Sequence, residues 1–298
     1  MRGGIIALGN FDGFHLGHQA VVGAAVARAR AARVPAIVAT FDPHPVRFFA
    51  PDAPPFRLTT LDQRAALFAQ AGADAMLVFA FNAELARVSA QDFITDWLIT
   101  RAGASGIVTG EDFTFGKARG GNIDVLRETG SAHGLIATAV PPVCDAGGPI
   151  SSSRIRDALQ AGDCATATGL LTRPFAIQGT VEHGAKLGRT IGFPTANIAL
   201  GRHLEPARGV YAVTVRLPDG QWRNGVANIG IRPSIDPPIE LLEPYFFDFD
   251  EDLYGQQIEV ALHAFLRPEE KYDSLDALTA QIAKDCEDAR RALSAISL

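Results

Sequence analysis

Residues Gly9 to His18 read Gly-Asn-Phe-Asp-Gly-Phe-His-Leu-Gly-His, between an apolar run, Ile5 to Leu8, and an Ala-rich, Pro-free stretch, Ala20 to Ala32. The run has the length and character of a buried strand, and the stretch that of a helix. A strand, a glycine-punctuated turn and a helix start make an anion site. Free N–H groups at the helix N-terminus point at the ligand, and the macrodipole favours negative charge there. Gly9, Gly13 and Gly17 let the backbone turn tightly and approach a phosphate. His15 and His18 are three apart, so on the first helical turn they share a face. Two imidazoles beside backbone donors can hold a triphosphate while charge moves between its oxygens. The pair lacks the four-residue spacing and adjoining Glu of a helical zinc site. The alternative is a strand–loop–helix corner with two incidental histidines.

Strand and helix patterns alternate through the first half. Ala36 to Phe41, Ala75 to Phe79, Gly106 to Thr109 and Leu135 to Val140 read as strands. Asp62 to Ala71, Ala90 to Ile99 (capped by Ser89) and Asn122 to His133 read as helices. The alternation predicts a parallel, doubly wound α/β sheet. Thr40 to Pro45, with its two prolines, reads as an extended loop, and Gly110 to Gly121 as a glycine-rich one. Both lie at C-terminal strand ends, where such sheets bind ligands. Ile150-Ser151-Ser152-Ser153-Arg154-Ile155-Arg156 opens another helix with serines to cap it. An Arg in the first turn opposes the helix dipole, and an anion at that end reconciles the two.

From Pro174 the pattern changes. Phe175 to Glu182, Gly209 to Leu217, Trp222 to Ile229, Glu243 to Phe249 and Gln256 to Phe265 read as strands, with Pro218-Asp219-Gly220 as a hairpin turn. They predict a barrel or sandwich. A helix from Ser274 to Leu293 closes the chain, with Leu275, Leu278, Ile282, Cys286 and Ala289 on one face. The boundary falls near Leu171, giving domains 1–171 and 172–298, and 298 residues suit two domains.

Within the second half, Gly188-Arg189-Thr190-Ile191-Gly192-Phe193-Pro194-Thr195-Ala196-Asn197 carries the most chemistry. It is not a P-loop. Extended, it sets Thr195 and Asn197 on one side, and two oxygen donors together suit Mg²⁺. The net charge of −6, with no dense Lys/Arg cluster, argues against nucleic acid as a partner. No apolar stretch approaches a membrane span, and Met1 to Gly4 run straight into the first strand without a signal peptide. Cys144, Cys164 and Cys286 are far apart and form no Cys-x-x-Cys. That pattern fits the cytosol. The sequence specifies no oligomeric state.

His15-Leu16-Gly17-His18 resembles the His-x-Gly-His signature of the nucleotidyltransferase superfamily, and Ile150 to Arg156 resembles its Ile-Ser-Ser-x-x-Ile-Arg motif. The longer string from Gly9 to Gln19 resembles the N-terminal module of the prokaryotic bifunctional riboflavin kinase/FAD synthetases. Gly188 to Asn197 is similar to the riboflavin kinase signature Gly-Arg-x-x-Gly-Phe-Pro-Thr-Ala-Asn. Asn228 to Ser234 is similar to its Asn-Ile-Gly-x-x-Pro-Thr stretch, with Ser in place of the last Thr. Glu243 to Phe249 and Asp252 to Gly255 resemble its Glu-x-His-x-x-Asp-Phe and Asp-x-Tyr-Gly, with Tyr245 for His and Glu251 for Gly.

The resemblance implies a Rossmann-like FMN adenylyltransferase domain followed by a riboflavin kinase domain, an antiparallel β-barrel with a terminal helix. It implies riboflavin, FMN, FAD and ATP as partners, with Mg²⁺ as cofactor. His15, His18 and Arg156 would stabilise charge during adenylylation, and Glu243 would take the ribityl hydroxyl proton. Gly9, Phe11, Asp12, Gly17, Ser152, Ser153, Gly188 and Arg189 would meet ATP. Phe41, Pro43, Pro45, Asp112, Phe115, Asn228 and Arg232 would meet flavin, and Thr195 and Asn197 the metal. The rivals are a cytidylyl- or pantetheine-phosphate adenylyltransferase, which lacks the second module, and a flavin-binding regulator with degenerate sites.

Overall fold

The computed structural model describes residues 2–183, 192–232 and 239–295. The chain divides into two compact units, Met1–Pro54 with Leu61–Ser151, and Pro55–Thr60 with Ser152–Leu298.

The first unit holds β1 (Ile5–Leu8), α1 (Leu16–Ala32), β2 (Ala36–Asp42), α2 (Pro45–Phe49), α3 (Leu61–Gln70) and β3 (Ala75–Ala80). A helical segment Ala90–Asp92 (α4) follows, continued by Phe93–Arg101, then β4 (Gly106–Gly110), α5 (Ile123–Ser131), β5 (Ile136–Val140) and a small hairpin of β6 (Cys144–Asp145) and β7 (Gly148–Pro149). The five main strands form a parallel sheet in the order β3-β2-β1-β4-β5. Strand side chains alternate between faces, and β1 shows what that achieves. Ile6 and Leu8 join a core with Phe93, Leu98 and Leu126, while Ala7 joins one with Val22, Ala25 and Phe68. Helices therefore cover both faces, as the alternating pattern predicts.

Two elements differ from the expectation. Ser89 does cap its helix, accepting from the Asp92 N–H, but Phe93–Arg101 is wound as a π-helix. Its i→i+5 period sets Phe93 and Leu98, five apart, against the same core. After β2 the chain does not stay extended: Pro45 starts the short helix α2, and the His44 ring caps it by accepting from the Val46 N–H. Proline's fixed φ suits a first helical position as well as a loop.

The second unit begins with α6 (Ser152–Gln160) and α7 (Cys164–Leu171). Its strands are β8 (Phe175–Thr180), β9 (Ile198–Ala199), β10 (Gly209–Arg216), β11 (Trp222–Arg232), β12 (Ile239–Phe246) and β13 (Gln257–Pro268), and α8 (Leu275–Ser294) ends it. They pair antiparallel in the order β8-β13-β10-β11-β12-β9. The edge strands β8 and β9 then meet. A Cβ on Gly179 of β8 would lie 2.4 Å from Ile198, and Glu182 pairs with Asn197 beyond them. The result is a nearly closed barrel.

Ile177, Tyr211, Val213, Ile229 and Leu242 are completely buried. The alternate positions Val210, Ala212 and Val226 pack beneath Cys286, Ala289 and Leu293 of α8. The helix is pinned by a two-bond ion pair, Arg267 Nε to Asp285 Oδ1 at 2.9 Å and Nη2 to Oδ2 at 2.7 Å. Leu275, expected on the packed face, is exposed; the stripe that meets the barrel runs from Ile282 to Leu293. The α7 helix buries Cys164, Ala167, Leu170 and Leu171 and packs on β8 and β13. No described helix is long and apolar enough to cross a membrane.

Candidate functional site

In the first unit the motif from Gly9 to His18 is the turn between β1 and α1, beside the point where the strand order reverses. Ligands in open α/β sheets bind at such a point. Phe11 and Phe14 hold left-handed backbone conformations, φ 51° and 47°, as does Gly13 at 87°. Such conformations persist in bulky residues only when surroundings enforce them. Here both rings are buried edge-on against Phe68, at 5.8 and 5.1 Å. A residue outside every motif adds to this. Arg64 of α3, 2% exposed, donates to the Asn10 carbonyl at 3.1 Å and to Thr40 Oγ1 at 2.9 Å. Thr40 Oγ1 itself donates to the same carbonyl.

His15 is the N-cap of α1, its Nδ1 accepting from the His18 N–H at 3.4 Å. The two imidazoles stack, with centroids 3.6 Å apart and planes inclined by 21°, and Phe11 meets His18 edge-on at 5.3 Å. The expected shared face is thus present as a ring stack. Gly17 makes room for it: a Cβ there would lie 3.2 Å from the His15 ring. Gly9 and Asp12 are buried with the loop.

Around the same sheet edge, Phe41 is buried against Phe79, Phe81 and Phe93. Pro43 and Pro45 are half-buried, and Asp112 is exposed. Phe115 is buried, bonded by its backbone to Gly121 in both directions and packed over that glycine. Ser152, Ser153 and Arg156 belong to α6 in the second unit. Arg156 Nε donates to the Phe56 carbonyl at 2.8 Å, with its guanidinium 5.3 Å from that ring.

The second unit aligns a further set by strand register. Leu241 opposes Ala199 and Leu242 opposes Ile198, and the Ala196 N–H bond to the Pro244 carbonyl, 3.0 Å, carries the register onward. Asn197 therefore falls beside Glu243, whose other neighbour on β11 is Asn228. Directly opposed residues stand on one face. Asn197, just before β9, Glu243 of β12 and Asn228 of β11 form a row, with Thr195 two residues before Asn197. Asn197 is buried and Glu243 half-buried. Asn228 Nδ2 donates to Glu269 Oε1 at 3.1 Å, and a Cβ on Gly230 would collide with that carboxylate.

No motif carried Arg64 or Glu269, because each contact is made far away in sequence. Gly188, Arg189 and the Arg232 side chain lie outside the described residues; Arg232 itself stands in β11. Among the described residues, no group of three His, Cys, Asp or Glu could hold a metal by themselves. Thr195 and Asn197 offer hard oxygen donors, and an ion there would draw its other oxygens from phosphates or water, as Mg²⁺ does.

Comparison with known proteins agrees with both halves. The FAD synthetase family model matches residues 1–154, and the riboflavin kinase family model matches residues 171–293. The bifunctional riboflavin kinase/FMN adenylyltransferase of Escherichia coli (strain K12) is 41% identical over 284 residues, covering 95% of this chain and 91% of that protein. That of Bacillus subtilis (strain 168) is 38% identical over 297 residues, covering 97% and 92%. A crystal structure named for a macrolide-efflux protein from Streptococcus pneumoniae superposes with a TM-score of 0.86 at 34% identity, covering 97% of this chain and 94% of that one.

Proposed function

This chain belongs to the bifunctional riboflavin kinase/FMN adenylyltransferase family, and we propose here how its residues divide that work. It phosphorylates riboflavin to FMN with ATP, then adenylylates FMN to FAD with release of pyrophosphate. Residues 1–171 are assigned to adenylylation and 172–298 to phosphorylation.

In the kinase half, Glu243 accepts the ribityl hydroxyl proton. Thr195 and Asn197 hold Mg²⁺ and nucleotide oxygens, and Asn228 and Arg232 meet the flavin. When bound, the ion contributes charge neutralisation on the transferring phosphoryl group; the protein's share is orientation and proton acceptance. The observation that carries this assignment is the cross-strand row of Asn197, Glu243 and Asn228, which sets a candidate base beside a candidate ligand.

In the adenylylation half, the FMN phosphate attacks the α-phosphorus of ATP. His15 and His18 steady the charge that moves onto the departing pyrophosphate, and the stacked pair supports that role. Arg156 is assigned to the same phosphates, and Gly9, Phe11, Asp12, Gly17, Ser152 and Ser153 to ATP. Gly188 and Arg189 are assigned to ATP on the kinase side. Phe41, Pro43, Pro45, Asp112 and Phe115 are assigned to flavin. A cytosolic location is part of the proposal, supported by three cysteines that all stand as free thiols.

The test is incubation with riboflavin, ATP and Mg²⁺, then chromatography of the flavins. FMN followed by FAD is expected. With His18→Ala, FMN should accumulate and FAD should not form. Equal loss of both products in the folded variant would remove His18 from adenylylation.

A further inference from the structure

We propose that Tyr245 is a positioning residue for phosphorylation, its ring clamping Phe193 and so holding the segment that bears Thr195 and Asn197 against the strand that bears Glu243. The proposal rests on the reading of Thr195 and Asn197 as metal and nucleotide ligands.

Tyr245 is two residues beyond Glu243 on β12, so the two side chains share a face. The segment from Gly192 to Asn197 lies alongside, and β9 proper begins only at Ile198. Its described backbone tie to β12 is the Ala196 N–H bond to Pro244. On the N-terminal side of that bond, Phe193 reaches the same strand through its ring. It meets Tyr245 edge-to-face, with centroids 5.3 Å apart and planes at 79°.

Tyr245 is braced in turn. It meets the buried Phe247 ring at 6.1 Å, and Arg290 of α8 caps Phe247 at 4.0 Å. Thr195 lies between the two attachments, the ring contact at Phe193 and the backbone bond at Ala196. A hinge at either would free Thr195 to move relative to Asn197 and to the strand that bears Glu243. Tyr245 also stands where the resembling kinase motif has a histidine, so the clamp belongs to the residues in which this chain departs from that motif.

Three single variants and one double variant test it in the full-length protein: Tyr245→Leu, which keeps an apolar side chain without a ring, Tyr245→Phe, which keeps the ring, Phe193→Leu, and Tyr245→Leu combined with Phe193→Leu. Two quantities are read. One is KM for Mg·ATP against kcat in riboflavin phosphorylation, with riboflavin KM in parallel. The other is deuterium uptake at the Ala196 amide by mass spectrometry, which needs no turnover. Rates of FMN adenylylation check that each preparation is intact.

Tyr245→Leu should raise the nucleotide KM by about 2- to 12-fold, the range an edge-to-face aromatic pair supplies, with kcat and riboflavin KM unchanged, and should speed exchange at Ala196. Phe193→Leu should do the same, the double variant should add nothing, and Tyr245→Phe should match the parent. Unchanged exchange in Tyr245→Leu would overturn the clamp, as would a Tyr245→Phe variant as impaired as Leu. An effect confined to riboflavin KM would make Tyr245 a flavin contact and overturn it too. Faster exchange with an unchanged nucleotide KM would overturn the reading of Thr195 and Asn197 instead. If Tyr245→Leu does not fold, Phe193→Leu and Tyr245→Phe carry the same comparison.

Discussion

Glu243 stands on β12 directly opposite Asn228 of β11. Glu240, Asp248, Asp250 and Asp252 surround it with equal local claims to be a base, and only the motif separates it from them. The strand register supplies the physical distinction, since Glu243 alone of these lies between Asn197 and Asn228. Glu243→Gln keeps the shape and cannot take a proton, so riboflavin phosphorylation should fall by roughly 10²–10⁴-fold, the usual worth of a general base. Adenylylation of supplied FMN should hold. Both rates on one preparation measure this, and a kinase rate within about twofold of the parent, far below that range, would move the base elsewhere. Glu240 has a different fate, which its sequence position does not reveal. Burial, reinforced by the neighbouring Glu205 carboxyl, pushes it up to about 7 against the opposing pull of Arg208. The folded protein then keeps a proton that the unfolded chain releases near 4.5. Glu240's contribution to stability is whole below that pH and lost as pH rises through 7. Glu240→Gln is neutral at every pH. In urea titrations it should be more stable than the parent at pH 8 by about 1 kcal/mol, after allowance for solvent screening, with no gain at pH 4. A gain of equal size at both would refute the cause given.

Elements were legible where they were long and patterned, and illegible where they were short or set by distant contacts. The strands of the parallel sheet and the terminal helix follow from period and apolar length. The two residues of β9 do not, because their strand character comes from β12 pairing rather than from any run of their own. The α7 helix, where the sequence marks only a domain boundary near Leu171, shows itself through its buried face. The start of α1 gives the sharpest test at this scale. Ordinary helix propensity favours Ala over Gly by about 1 kcal/mol, so Gly17→Ala should on that ground strengthen the helix. Yet the new Cβ would stand 3.2 Å from the His15 imidazole, and that ring is already stacked on His18. The variant should melt no lower than the parent while FAD formation drops and riboflavin phosphorylation is unaffected. A fully active Gly17→Ala would show that the stack is not needed for adenylylation.

At the scale of the whole chain, the switch from strand–helix alternation to a run of strands announces two parts, but it does not say which part owns the residues between. Pro55–Thr60, in the middle of the first half, belongs by its contacts to the second unit. There Arg57 pairs with His203, and Thr60 Oγ1 donates to Gln178 at 2.8 Å. Such ownership depends on partners more than a hundred residues away, so no local pattern announces it. The α6–α7 hairpin poses the same question with a measurable answer. A kinase fragment cut at the change of pattern starts at Thr172 and discards α7, whose Leu170 and Leu171 are almost fully buried. With them goes the packing of Gly162 against Phe265 of β13. A fragment starting at Ser152 retains all of this. Burying one leucine is worth about 1.5–3 kcal/mol, an upper figure because the unfolded chain already buries some of it. Two leucines give about 3–6 kcal/mol, and each kcal/mol shifts melting by several degrees in a domain of this size. The fragment from Thr172 should therefore melt roughly 10 °C or more below the fragment from Ser152. Both should phosphorylate riboflavin at temperatures where they are folded, because Thr195, Asn197, Asn228 and Glu243 are present in each. Thermal unfolding followed by circular dichroism, with a kinase assay on the same samples, decides it. Equal melting temperatures would mean that the hairpin stabilises the barrel little, and an inactive Ser152 fragment beside an active full chain would mean that phosphorylation needs residues before it.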